Sequence, residues 1–297
     1  MFDYKLLMAL ATVVEQEGFE RAALTLGLSQ SAISQRIKLL EARLGEPVLL
    51  RQSPPVPTAV GQRLLNHIQQ VRLLEGDLKR QVPTLEDGTR ERLRVALNAD
   101  SLATWWAPAV SAFCQKYAVL LDQVVEDQDV GLKRMRAGEV AGCLCGSPHP
   151  VAGARAIALG AMRYRSVASP AFIETYLDGE VTAERLAGAP AIVYGPDDRL
   201  QHRFMAQLGF EGAFYHHLCP SSEGFFQMTL NGLGWGLLPE LQAQQARARG
   251  DLVDLLPEPY TIIDVPLYWH HWRNGGEILA ALTRHLIDQA GRWLVAT

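Results

Sequence analysis

Between Phe19 and Gly45 the chain reads FERAALTLGLSQSAISQRIKLLEARLG, two helix-period patterns separated by one glycine. The second runs from Leu28 to Leu44, with Leu28, Ala32, Ile33, Ile37, Leu40 and Leu44 on one face. Ser29 is placed to cap its start and Gly45 to end it. The first spans about Phe19 to Leu26, where Ala22 and Ala23 are small enough for a close helix crossing. Gly27 can take the positive φ that a tight connection needs. Two helices joined in this way form a helix-turn-helix. The outer face of the second presents Gln30, Ser31, Ser34, Gln35 and Lys38, with no acid between Gln30 and Leu40. An ordinary solvated face mixes Glu with Lys. Short Ser and Gln side chains suit base edges, and Arg and Lys suit phosphates, so this face points to DNA.

Charge supports the same division of labour. The 297-residue chain has a net charge of −4, yet residues 21–72 hold seven basic residues and two acidic ones. A basic segment in an acidic chain suggests two jobs on one polypeptide.

The segment after Gly45, GEPVLLRQSPPVPTAVGQRLL, has the pattern of a short strand, a proline-rich turn and a return, which is a wing. Arg51 is placed to meet the phosphate backbone. The expected DNA-contacting set is Arg21, Ser29, Gln30, Ser31, Ser34, Gln35, Lys38, Arg51 and Thr58. Thr58 also caps a long helix over roughly 58–82. Along it Val60, Leu64, Ile68, Val71, Leu74 and Leu78 recur at steps of three and four, a seam suited to dimerisation. PTLEDGTRE then forms a hinge.

Beyond residue 90, strand and helix patterns alternate: RLRVALN, SLATWWAPAVSAFCQKY, VLLDQVVED, a helix through Arg136, and VAGCLCG. This implies a parallel sheet with helices on both sides. A second run opens at RYRSVAS (163–169), and the chain returns through VPLYWHHW to a terminal helix at about 276–294. Leaving one lobe, building another and returning gives two lobes, with crossovers near 161–167 and 261–266. The expected domains are 1–58, a winged helix-turn-helix; 59–89, a linker and dimerisation helix; and 90–297, an effector domain. Its lobe I is 90–163 with 265–297, and its lobe II is 164–264.

Ligands in such a fold sit at the carboxyl ends of the strands. Asn98, Asp100 and Ser101 close one strand and start a helix; Ser222 and Glu223 start another. Helix N-termini favour anions, so their N–H groups and the Ser101 and Ser222 hydroxyls could hold an α-carboxylate. Glu126, Asp127 and Asp129 end the second strand. Acids grouped beside an anion site suit a ligand with one carboxylate and two cations, as in arginine or lysine. Each acid also has a plainer reading: Asp100 as a cap, 126–129 as a solvated loop, and Glu223 as an acid favoured by the helix dipole.

Enzyme signals are poor. No G-x-S-x-G, H-E-x-x-H or nucleotide-type glycine loop occurs, and NGLGWG precedes a strand, the wrong order for phosphate binding. Cys143, Cys145 and His149 fit a buried strand better than a metal site, because no fourth ligand sits at suitable spacing. Adjacent histidines at 216–217 and 270–271 point to opposite faces of a strand and do not chelate. No cofactor and no metal are expected. LLMALATVV (6–14) looks like a signal core but continues at helical spacing into Glu15 and Glu17, so a cytoplasmic chain with no membrane partner is expected.

The order of parts resembles a LysR-type transcriptional regulator along the whole chain. NADSLATWW, VVEDQD, RAGEVAG, SSEGFFQ and LYWHHW are similar to the branch of that family that responds to basic amino acids. The resemblance implies an α/β, periplasmic-binding-protein-like effector domain behind the all-α winged head. It also implies double-stranded promoter DNA as partner, arginine or lysine as effector, and a homodimer or homotetramer, with RNA polymerase as a candidate partner. The competing function is an architectural or replication-origin DNA-binding protein not gated by a small molecule.

Overall fold

The computed structural model describes residues 3–50, 52–82, 91–125 and 130–296. The head begins with α1 (Tyr4–Glu15), α2 (Phe19–Leu26) and α3 (Gln30–Leu44). The apolar run with a signal-like look is α1, whose Leu6, Leu7, Leu10 and Val13 fill the head's core with Ile33 and Ile37. Gly27 ends α2 at φ 63°, and Gly45 ends α3 at φ 78°. The wing is a pair of two-residue antiparallel strands, β1 (Leu49–Leu50) and β2 (Val56–Pro57). Thr58 caps α4 (Ala59–Gln81) by accepting from the Gly61 N–H.

The proposed seam on α4 divides between the core of its own chain and solvent, and Leu73, beside the seam, goes to a third place. Leu64 and Ile68, with Leu65, belong to the core of the head in the same chain. Leu73 belongs instead to the core of the effector domain. Leu74 and Leu78 remain half exposed, and Val71 is partly buried. The expectation of one uniform intermolecular stripe is therefore corrected: the spacing identifies a buried face, but spacing alone does not say what buries it.

In the effector domain β3 (Arg92–Leu97) pairs in parallel with β4 (Leu120–Val125) and β5 (Gly142–Cys145). Between β3 and β4 the chain forms α5 (Ala99–Ser101), a wide π turn (Leu102–Trp106) and α6 (Ala107–Tyr117). Before β5 comes α7 (Val130–Arg136). The next strand, β6 (Ala154–Ala168), runs antiparallel to β11 (Ile262–Trp272) along nearly its whole length. These two strands cross between the lobes. Their register shifts between Leu267 and Tyr268, beside Gly160 at φ 130°, where a side chain would meet the Val295 carbonyl at 2.7 Å. The strand expected at 163–169 is thus the end of a longer one. The sheet is mixed rather than parallel throughout, because the crossing strands run opposite ways.

The second lobe holds α8 (Pro170–Phe172), a π turn (Ile173–Leu177), α9 (Ala183–Gly188), β7 (Ala191–Val193) and α10 (Leu200–Gln207). It continues with β8 (His216–Leu218), α11 (Ser222–Leu230), β9 (Gly236–Pro239), α12 (Glu240–Arg249) and β10 (Val253–Asp254). β7 and β8 are parallel, while β9 and β10 both pair antiparallel with β6. The closing helix α13 (Gly276–Ala290) packs on the first lobe and against α4.

Candidate functional site

On the head, α3 buries Ile33, Ile37 and Leu40 and leaves Gln30, Ser31, Gln35 and Lys38 exposed, with Ser34 partly so. Ser29 is exposed but occupied: its hydroxyl accepts from the Ala32 N–H and shares a 2.9 Å hydrogen bond with Ser31. Thr58 donates to the Pro47 carbonyl at 2.8 Å while accepting from Gly61, so its hydroxyl ties the wing to α4. Arg21 is exposed and donates to the Glu17 carbonyl. Arg51 lies outside the described residues. Ser34→Ala or Gln35→Ala is expected to weaken sequence-specific DNA binding by about 1–3 kcal/mol. Lys38→Ala should weaken all sequences alike and flatten the salt dependence by about one phosphate contact. Anisotropy titrations at several salt concentrations separate the two; a changed sequence preference in Lys38→Ala would contradict its phosphate role.

The effector domain contains a cleft of about 560 Å³. Its focus is Asp100, half-buried on α5 at the end of β3. The Ser222 hydroxyl donates to one carboxylate oxygen and the Tyr164 hydroxyl to the other, each at 2.7 Å. Asp100 comes from the first lobe, Ser222 from α11 in the second, and Tyr164 from a crossing strand. One carboxylate therefore joins both lobes. Burial pushes the Asp100 carboxyl above its ordinary range against the pull of the two hydroxyls, and Asp198 adds to the rise. Burial and the Asp100 charge hold the Tyr164 phenol protonated.

Two amides complete this side. Asn98 is the N-cap of α5, but its side chain makes no cap bond, and its Oδ1 is buried without a donor among the described residues. Gln201, buried on α10, has an Oε1 in the same condition. Both residues line the cleft. Lys133, Arg199 and Arg203 supply positive charge to the wall. Asp198 accepts from the Tyr194 and Leu200 N–H groups and so shapes the loop between them.

Among the expected effector residues, the structure gathers Asn98, Asp100 and Ser222 on the wall. Ser101 is fully buried and accepts from the Trp105 indole at 3.1 Å, away from the wall. Glu223 is exposed and accepts from Gln227 one helical turn on, also off the wall. Glu126, Asp127 and Asp129 lie outside the described residues. Sequence reasoning missed Tyr164, Gln201 and Lys133. Tyr164 carried a signal: Arg163 pairs with Asp264, and Arg165 is held by Glu240, Asp254 and Glu258. Alternation along the strand turns the residue between them to the opposite face. Gln201 and Lys133 had no such signal, since each is one polar residue in an ordinary amphipathic helix.

Cys143 and Cys145 are buried in β5 and form no disulfide, and His270 and His271 are buried on β11. His216 and His217 are exposed on β8. No helix among the described residues is long and apolar enough to cross a membrane.

A helix-turn-helix head joined by one long helix to a two-lobed domain with a polar cleft is the build of a ligand-responsive DNA-binding regulator. Residues 4–62 match the family model "Bacterial regulatory helix-turn-helix protein, lysR family", and residues 86–291 match the LysR substrate binding domain. The chain belongs to the LysR family of transcriptional regulators, in its ArgP branch, and the relatives it matches are named as regulators. It is 70% identical to the HTH-type transcriptional regulator ArgP of Pseudomonas aeruginosa (strain UCBPP-PA14), over 99% of this chain and 98% of that one. It is 40% identical to ArgP of Aeromonas salmonicida over 98% of each chain. Its structure is similar to that of ArgP from Mycobacterium tuberculosis, with a TM-score of 0.87, 35% identity and complete coverage of both chains. It is also similar to full-length LysG from Corynebacterium glutamicum with bound effector Arg, with a TM-score of 0.78, 34% identity, and coverage of 99% and 100%.

Proposed function

We propose that this chain binds promoter DNA through α3 and its wing, and changes that binding when arginine or lysine fills the interlobe cleft. The observation that carries the reading is the juxtaposition of the Asp100 carboxylate with two buried amide oxygens, Asn98 Oδ1 and Gln201 Oε1, that have no donor. Buried acceptors without donors are costly, and a ligand rich in N–H groups satisfies them. Guanidinium and ammonium groups are such ligands. The effector carboxylate then faces the positive side of the wall, Lys133, Arg199 and Arg203, and the Ser101 hydroxyl has no part in holding it. LysG, a relative of similar build, carries Arg as its bound effector, which supports the same chemistry here.

Binding chromosomal promoters places the protein in the cytoplasm, with RNA polymerase as the candidate partner at the promoter. Leu74 and Leu78 supply exposed apolar surface on α4 for a homodimer or a larger assembly. The test uses a duplex selected by the full-length chain from a random pool. Arginine and lysine are expected to change its affinity for that duplex, and glutamate is not. Operator binding indifferent to every amino acid tested would favour the ungated, architectural reading.

A further inference from the structure

The cleft and the DNA-binding head are linked by one short helix. On α7, Gly131, Leu132 and Met135 are buried against the sheet, and a side chain at Gly131 would come within 2.4 Å of the Cys143 sulfur. The helix is therefore seated directly on β5. Lys133, on its outer face, lines the effector cleft. At its C-terminus, one turn beyond Lys133, the chain closes a Schellman turn, with Gly138 N–H bonded to the Met135 carbonyl and Glu139 N–H to the Arg134 carbonyl. Gly138 takes the φ of 65° that this turn demands.

That turn rests on the linker helix. The Gln62 Nε2 donates to the Ala137 carbonyl at 2.5 Å. A side chain at Gly138 would lie 2.5 Å from Asn66 Oδ1 and 2.8 Å from its Cα and N, so the two backbones are in direct contact. Gln62 and Asn66 flank Leu64 and Leu65, which sit in the core of the head. The turn thus touches α4 where α4 is part of the DNA-binding domain, while Leu73 further along is anchored in the effector domain.

We propose that α7 couples effector to DNA: Lys133, at its middle, reads the effector carboxylate, and the Ala137–Gly138 turn, one helical turn further on, shifts α4 and the head. This rests on the reading of the cleft as an amino-acid site. Close-packed elements pass on small displacements because they do not deform continuously. The coupling is reciprocal, so operator DNA changes arginine affinity by the same factor as arginine changes operator affinity.

The test compares full-length wild type with Gln62→Ala and Gly138→Ala. Calorimetry gives arginine affinity, and anisotropy gives operator affinity with and without saturating arginine. Both variants are expected to bind arginine within about twofold of wild type. Their operator affinity should change by no more than about twofold on adding arginine, against the roughly 5–150-fold typical of coupled sites. Gln62→Ala removes one side-chain hydrogen bond and decides the matter if Gly138→Ala, strained at its positive φ, fails to fold. Lys133→Met should weaken arginine and leave agmatine, which has no carboxylate, unchanged. Normal arginine binding with a full operator response in both variants overturns the coupling, as does loss of arginine binding in either folded variant. Equal loss of arginine and agmatine in Lys133→Met overturns the carboxylate assignment. A wild type that does not bind arginine removes the cleft reading itself, and the coupling falls with it.

Discussion

Asp100→Asn is expected to raise the thermal midpoint of the effector domain while lowering its affinity for arginine. Burial is the largest cause of the raised Asp100 pKa, so ionising this carboxyl in the folded chain carries a cost. Asparagine keeps an oxygen to accept from one of the two hydroxyls and turns an N–H toward the other, which can rotate to accept it, and it carries no charge to desolvate. The pH dependence has a definite sign. A carboxyl whose folded pKa lies above its unfolded one has no penalty below the unfolded value, and the penalty grows as pH rises through the folded value. The stability gain of the variant should therefore grow as pH rises from the ordinary carboxylate range through the folded value, and fade as the solution is acidified back toward that range. Arginine affinity should move the other way, because removing one partner of a desolvated charge pair costs about 2–5 kcal/mol. Thermal melts and calorimetry on the same samples check both signs. A destabilised variant that still binds arginine normally would show that Asp100 is only a structural hinge pin.

Leu64→Asp should unfold the head, and Leu74→Asp should not. Leu64 is 7% exposed and sits in the head's core; Leu74 is 51% exposed on the same helix. Truncating a buried leucine alone costs about 2–5 kcal/mol. An unpaired carboxylate in its place adds to that, which is most of the roughly 5–15 kcal/mol that holds a small domain together. The effector domain has a separate core and should keep its own melting transition. Leu74→Asp should leave both transitions in place and weaken self-association, read by sedimentation. A head that stays folded and binds DNA with aspartate at 64 would show that Leu64 faces a partner after all.

The contrast between these two leucines shows where the sequence speaks and where it is silent. Glycines, caps and helical spacing located α2, α3 and the turn between them, because each is a local rule with one structural answer. The apolar stripe of α4 was equally plain, yet Leu64 proved to face the head's core and Leu74 solvent, while Leu73, off the stripe, reaches the effector core, since burial depends on chain folded far away. The cleft followed the same pattern. Asn98, Asp100 and Ser222 stand at strand and helix ends, where fold-level rules place ligands, and they meet on its wall. Ser101 stands one residue from Asp100, but the helical turn swings its hydroxyl onto Trp105 instead. Gln201 reaches the cleft from 103 positions beyond Asn98 in the chain, and no local pattern announces such a meeting. The crossing strands were legible as a return of the chain, while their antiparallel union into one mixed sheet was not.

The central claim is that the cleft selects positive charge and passes its occupancy to the DNA. Calorimetric titration of the full-length protein with arginine and with citrulline tests it most directly, since citrulline keeps the shape, the carboxylate and the α-amino group but replaces the guanidinium with a neutral urea. Arginine should bind more tightly by at least about tenfold, a difference of about 1.4 kcal/mol. Equal affinity for the two, or binding of neither, would contradict a cleft built around Asp100 for a cation.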